Sequence, residues 1–368
     1  MIARVLTRLG LFLLGTFLLA GSLWAGLSFG ATLARNHWTY PVMLVVAFVA
    51  GVLLLGYFFY LLYRDGGGND PYGRPAPVPE PLPPKKRWAR VGVWTVVSAL
   101  LLSVGTGIVY LRPHPAGQDA TARYAAGDVV DLVEGHGWYA FVPREPGTDP
   151  AGHVDRTGKY APTPEGVADT GLVFFPDQRV DSRAEAPVLR PLAEAGYTVV
   201  VLAEPLGLDA PDPDLADVAP KEFPEISRWV VGGHGTGGHA AASWADANAG
   251  ADAQGLVLHA SAPELDVSGL EIRSTSMWGT LDTVVPASDI AASRANLPSS
   301  TDFVRIPGAI HSSFADYGPL RGEARTQFEP EVLYAQVADE TLRFMDRVAY
   351  VPVEEPAEDA DAADEEAE

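Results

Sequence analysis

The run Gly232-Gly233-His234-Gly235-Thr236-Gly237-Gly238, with an aspartate at 282 and a histidine at 311, holds the residues of this chain whose types and order can carry chemistry. The glycine-dense turn lies between the apolar run Trp229–Val231 and a small-residue segment of helical character. Strand, sharp turn and helix in that succession present a nucleophilic side chain at the top of a sheet. A histidine then takes the nucleophile's proton, and a carboxylate fixes the histidine tautomer and steadies the imidazolium that forms. Asp282 and His311 lie further along the chain, each just after an apolar run, in "STSMWGTLD" and "DFVRIPGAIH". The nucleophile itself is missing, because Gly235 stands in its position.

Other groups in the turn offer weaker chemistry. Thr236 has a hydroxyl, but it begins the helix one position late, and an ångström of displacement from attack geometry costs about a hundredfold; its side chain is expected to cap the helix. Asp282 and His311 acting on water would lack a covalent intermediate. His234 and His239 are five residues apart rather than the four that put two ligands on one helix face, so no metal site is expected from them. His234 is expected to pack or hydrogen-bond beneath the turn. Gly233 to Gly238 also spell G-x-G-x-x-G after a strand and before a helix. The motif falls on a late strand, and no acidic residue ends the next strand at the distance a dinucleotide ribose needs. Gly238 and His239 stand where a phosphate-binding loop needs Lys and Ser/Thr. No cofactor is expected.

These residues must be positioned by what surrounds them. "DVVDLV" and "WYAFVP" flank the turn "EGHG" and predict a hairpin. "GLVFFP", "YTVVVLAEP", "RWVVGG", "QGLVLHA", "STSMWGT" and "DFVRIPG" are short apolar runs, interleaved with helical segments in "APVLRPLAEAG", near Ala219 to Ser227 and over Val332 to Val348. Unbroken apolar runs of about five residues between helices predict an α/β domain with a mainly parallel, doubly wound sheet buried on both faces. Ligand chemistry in such sheets lies beyond the carboxyl ends of the strands.

"GLVFFPDQRVD", "LAEAGYTVVV", "PEISRWVVGGHGTGG", "GTLDTVVP" and "IPGAIHSSFADYG" together resemble the α/β-hydrolases, in their short, lid-poor bacterial fold-5-like branch, over about Asp128 to Val348. The resemblance implies His311 as base, Asp282 as its orienting acid and Gly235 as the vacant nucleophile position. It also implies an oxyanion hole from the backbone N–H of Thr236 and one from Asp177 or Gln178. Three departures fall in that machinery: Gly235 has no hydroxyl, Asp177 and Gln178 stand where the family tends to have glycine, and Thr236 and His239 replace small or apolar residues. The acidic side chain opposes the charge an oxyanion hole must stabilise. Glycine tolerates the strained elbow conformation freely, so the fold survives without the serine. On this reading Gly235→Ser is expected to restore labelling by serine-directed reagents. The function expected is a hydrolase-like domain that binds a small-molecule or protein ligand without turning it over. The alternative is a weak ester, thioester or amide hydrolase using Asp282 and His311 with water or Thr236.

The first third of the chain reads differently. Residues 9–29, 42–63 and 91–111 are each about 20 residues without a charged side chain, long enough to cross a bilayer. Arg4 and Arg8 precede the first span. Arg64, Arg74, Lys85, Lys86, Arg87 and Arg90 fill the proline-rich linker 64–90, and the loop between the first two spans offers only Arg35. The positive-inside bias puts the N-terminus and linker in the cytoplasm and residues 120–351 outside a plasma membrane. Gly26 and Gly30 have the small-residue spacing of helix packing, which also arises by chance. Residues 352–368 form an acidic tail expected to be disordered. A net charge of −21 across 368 residues makes nucleic acid an unsuitable partner. The absence of cysteine excludes disulfides, a thiol nucleophile and cysteine-bound zinc.

Overall fold

The computed structural model describes residues 2–35, 38–66, 83–145, 153–154, 160–161, 166–203 and 212–350. Most of the linker and all of the acidic tail lie outside the described residues. Three long helices come first: α1 (Ile2–Arg35), kinked at Phe29, α2 (Thr39–Gly66) and α3 (Pro84–Tyr110). Each holds a stretch long and apolar enough to cross a membrane, over Thr7–Gly30, Thr39–Arg64 and Val91–Tyr110. Leu18, Ala25, Ala47, Leu54 and Ile108 pack between them, while Leu27, Leu53, Val93 and Leu100 face outward. An apolar exterior of this kind suits acyl chains rather than water. The close approach of α1 and α2 falls at Gly51, where a Cβ would come within 2.8 Å of the Leu19 backbone nitrogen. Gly26 and Gly30 make no such contact: an added Cβ at either finds nothing within 4 Å.

A short helix, α4 (Gln118–Arg123), leads into the C-terminal domain. The expected hairpin is present as β1 (Val130–Gly135) and β2 (Trp138–Pro143), paired antiparallel. A two-residue ladder of β3 (His153–Val154) and β4 (Tyr160–Ala161) stands apart from the main sheet. The six apolar runs form β5 (Thr170–Phe175), β6 (Thr198–Leu202), β7 (Arg228–His234), β8 (Ala253–His259), β9 (Arg273–Gly279) and β10 (Asp302–Ile306). The sheet order is β1-β2-β6-β5-β7-β8-β9-β10, and every pair from β6 to β10 is parallel. Strands connected in parallel need crossovers, and the helices α5 (Ala186–Glu194), α6 (Val218–Glu222), α7 (Gly237–Asn248) and α8 (Ala287–Ser293) lie between them, with α9 (Pro330–Ala349) last.

Side chains alternate across the sheet, and the two faces bury separate cores. Leu172 and Phe174 of β5 face Leu189 and Leu192 of α5 and Val337 and Phe344 of α9. Val173 and Phe175 face the other way, with Trp229 of β7 and Trp244 of α7. Each such side chain contributes roughly 1.5–3 kcal/mol on leaving water. One segment departs from expectation. The helical stretch predicted near Ala219 to Ser227 lies earlier, as a 3-10 turn Pro213–Asp217 running into α6. Pro224 sets the limit, since the residue before a proline avoids helical geometry; Phe223 accordingly has φ −125° and ψ 67°.

The loop 176–183 after β5 touches both the sheet and the apolar helices. His114, just past α3, bridges Val180. The Arg179 guanidinium lies over the Tyr110 ring at 5.0 Å. Arg183 donates to Thr32 Oγ1 of α1 at 3.3 Å and pairs with Asp181, both side chains nearly buried. The loop thus has one end at the sheet and the other on the membrane-type helices.

Candidate active site

Four strand ends converge. Asp177 follows β5, Gly235 follows β7, Asp282 follows β9 and His311 follows β10. This is the carboxyl edge of the parallel sheet, where the topology of such folds puts ligand chemistry. Gly235 has φ +53°, the left-handed conformation of an elbow residue, which a side-chain-bearing residue adopts at a cost of about 1–3 kcal/mol. Gly237 is required for a different reason: a Cβ there would lie 2.4 Å from the Pro176 carbonyl oxygen, so only glycine lets α7 start this close to the end of β5.

The space a serine side chain would take is filled. A Cβ built on Gly235 would lie 2.4 Å from Asp177 Oδ1 and 2.6 Å from its Cγ. Asp177 Oδ1 accepts the backbone N–H of Gln178 at 2.8 Å and that of Thr236 at 3.0 Å, together with the Thr236 hydroxyl at 2.9 Å. Its Oδ2 faces His311 Nε2 at 3.2 Å, and His311 Nδ1 lies 3.0 Å from Asp282 Oδ2. Asp282 Oδ1 accepts the N–H groups of Val284 and Val285, which holds the acid in place.

Asp177, Gln178, Gly235, Thr236, Asp282 and His311 are therefore brought together, with two differences from the sequence reading. Asp177 enters through its carboxylate, while the N–H groups of Gln178 and Thr236 converge on that carboxylate. Thr236 does stand at the N-cap of α7, but its side chain makes no capping bond; the Asp177 oxygen takes the hydroxyl instead. Replacing Thr236 by valine should destabilise the folded protein by about 1.5–3 kcal/mol, the range for a hydrogen bond to a charged group. Denaturant unfolding followed by tryptophan fluorescence measures it, and a loss below about 0.5 kcal/mol would show that the hydroxyl is not engaged.

The electrostatics follow from burial and pairing. Burial by itself would push the Asp177 carboxyl up. The hydrogen bond from His311, the neighbouring histidine charges and the Thr236 N–H outweigh it and hold the group well below the usual carboxylate range. Burial opposes charge on His311 too, yet its hydrogen bonds to Asp177 and Asp282 and their charges push it up to about 10. The two carboxylates favour the protonated imidazole, with one ring nitrogen facing each of them.

Two groups beneath this layer were not legible as partners. His234 is fully buried, as expected for a packing residue, and its Nδ1 lies 3.4 Å from Glu185 Oε1. Glu185 is also fully buried, at the start of α5, and burial raises its carboxyl despite the hydrogen bond to His234. The only sequence signal was a carboxylate directly before the apolar first turn of α5, Ala186–Leu189. His239, five residues beyond His234, is exposed. A cavity of ≈ 430 Å³ opens above the site, its walls including Asp177, Thr236, His239, Glu264, Asp289 and His311.

Residues 171–333 match the family described as "Alpha/beta hydrolase family". Solved structures similar to the chain include an α/β serine hydrolase homologue from Coxiella burnetii, at 13% identity, covering 61% of this chain and 98% of that one with a TM-score of 0.38. Thermogutta terrifontis esterase 2 in its apo form is 16% identical, with 62% and 94% covered and a TM-score of 0.39. A lid-less α/β serine hydrolase from Xanthomonas campestris is 17% identical, with 50% and 85% covered and a TM-score of 0.35. Among curated proteins nothing matches. The family match spans β5 to the start of α9, the segment that supplies every strand end described above, and the domain built from that segment has the α/β-hydrolase fold.

Proposed function

We propose that this chain is a membrane-anchored α/β-hydrolase-like protein whose serine-hydrolase chemistry is silent and whose pocket serves to bind a ligand or partner. One observation carries the reading: the Asp177 carboxylate occupies the seat of the missing nucleophile, takes up both oxyanion-type donors and pairs with the base. An oxyanion hole lowers a barrier because its donors await a charge that develops only in the transition state; here a resident charge satisfies them beforehand. Thr236 is a poor substitute nucleophile, since its hydroxyl donates to Asp177 and not to His311. Water activation by the Asp282–His311 pair is disfavoured because both nitrogens of His311 are engaged. Asp177, Glu264 and Asp289 around the cavity favour a neutral or cationic ligand over a carboxylate. The three apolar helices support anchoring in a plasma membrane, and the positive-inside bias of the basic residues flanking the spans supports an extracytoplasmic side for residues 120–351.

The test is direct. Purified full-length protein in detergent is incubated with a fluorophosphonate and, separately, with short p-nitrophenyl esters. No labelling, and no turnover above that of a His311→Ala variant, is expected. Labelling or turnover that disappears in His311→Ala would overturn the reading.

A further inference from the structure

Asp177, His234 and His311 each bring one metal-ligating atom within 4.8 Å of the other two, and all three side chains are buried. The layer beneath them is arranged as a metal centre requires. A histidine that binds a metal through one ring nitrogen nearly always engages a carboxylate, carbonyl or water through the other. His311 Nδ1 lies 3.0 Å from Asp282 Oδ2, and His234 Nδ1 lies 3.4 Å from Glu185 Oε1. Both imidazoles thus have Nδ1 held by a buried carboxylate, and the Nε2 of His311 faces Asp177. For His234 the second nitrogen has nothing to do. Its Nε2 is buried without a hydrogen-bond partner among the described residues, an arrangement that costs about 1–3 kcal/mol unless something is bound there.

We propose that Asp177, His234 and His311 form a binding site for one divalent transition-metal ion of the zinc class, set into the position that a serine would otherwise hold. Two ligands about 2.0–2.1 Å from a tetrahedral ion are about 3.3 Å apart. Asp177 Oδ2 and His311 Nε2 already stand 3.2 Å apart, so the ion replaces the proton they share, which leaves to solvent. Closing His234 onto the same centre takes a shift of at most about 1.5 Å. Two imidazoles and a carboxylate are a donor set for zinc and its neighbours, not for calcium or magnesium, which prefer oxygen throughout. The fourth position opens to the cavity that Asp177 and His311 line. His239 takes no part; the proposed co-ligands of His234 follow β5 and β10, on opposite sides of β7 in the sheet.

The experiment uses full-length protein in detergent, stripped with a chelator and titrated with Zn²⁺ by calorimetry. Millimolar Mg²⁺ is present throughout to occupy the carboxylates of 352–368. One equivalent per chain is expected, with affinity falling at least about tenfold in His234→Ala and in His311→Ala and unchanged in His136→Ala, an exposed histidine of the β1–β2 turn. Loading wild-type protein with Co²⁺ should give the visible d–d bands of a four-coordinate nitrogen and oxygen site, a readout that needs no variant to fold. Absence of stoichiometric Zn²⁺ binding, or binding unaltered in folded His234→Ala, would overturn the proposal. The inference does not rest on catalytic silence, and the two fail separately. Ester turnover by the zinc-loaded protein would leave the metal site standing and overturn the non-catalytic reading, whereas lack of zinc would overturn the metal site alone.

Discussion

Gly235→Ser alone will leave the protein unlabelled by a fluorophosphonate, whereas Gly235→Ser combined with Asp177→Gly will raise labelling at least about a hundredfold above background. The single change introduces a Cβ 2.4 Å from Asp177 Oδ1, so the new hydroxyl must compete for its seat with a carboxylate held by three donors. Glycine at 177 removes that competitor and does three further things. It frees the N–H groups of Gln178 and Thr236, vacates the Nε2 side of His311, and leaves Asp282 as the sole carboxylate on that imidazole. A single oxyanion donor is worth about 10²–10³ in rate, which sets the lower bound on the expected gain. Mass spectrometry of the intact protein measures the label, and adding His311→Ala to the double variant should abolish it. Labelling of Gly235→Ser by itself would show that Asp177 swings aside easily and does not block the site. A folded but silent double variant would show that the strand ends have drifted from productive geometry.

The second large effect is expected away from the site. Arg183→Ala should destabilise the protein by about 3–5 kcal/mol, because it leaves the Asp181 charge buried without its partner. Asp181 is 1% exposed, and both its oxygens accept from the Arg183 guanidinium. Arg183 also reaches Thr32 on α1, so the same substitution loosens the contact between the C-terminal domain and the apolar helices. Denaturant unfolding in detergent, followed by tryptophan fluorescence, measures the loss. Removing both charges in Arg183→Ala with Asp181→Ala should recover part of it, since the penalty comes from the orphaned charge rather than from the missing pair. A loss under about 1 kcal/mol for the single variant would mean that water reaches Asp181 when the arginine is gone.

The architecture was legible because its signals are local. Five- and six-residue apolar runs such as "GLVFFP" and "RWVVGG" have the length and continuity of strands buried on both faces, and glycine, aspartate and histidine at their ends fall at the sheet edge without knowledge of the contacts. The opposing charge of Asp177 was legible as well. Its seat was not, because the position of a carboxylate depends on how the β5 loop folds over the elbow, a contact across 59 residues of chain. For that reason the expectation that serine at 235 alone restores labelling gives way to the double substitution. Glu185 was invisible for a related reason: a carboxylate at a helix start reads as a solvated cap until it is set against His234 at the end of β7. Thr236 misled through propensity, since a threonine before a helix usually accepts a helix N–H, and here its backbone is already helical (φ −69°, ψ −29°) and its hydroxyl is turned to Asp177.

The contact between Gly235 and Asp177 also bears on how such a site can change. With the aspartate seated, a hydroxyl at 235 has no room; with the aspartate lost first, His311 gives up a charged partner and no reaction is gained in return. Under the proposed non-catalytic reading, gain of serine-hydrolase chemistry therefore runs through an intermediate that selection has no reason to keep. Two mutations that are each useless alone would make the proposed silent state a ratchet, and sequences that share this pair are expected to hold or lose both residues together.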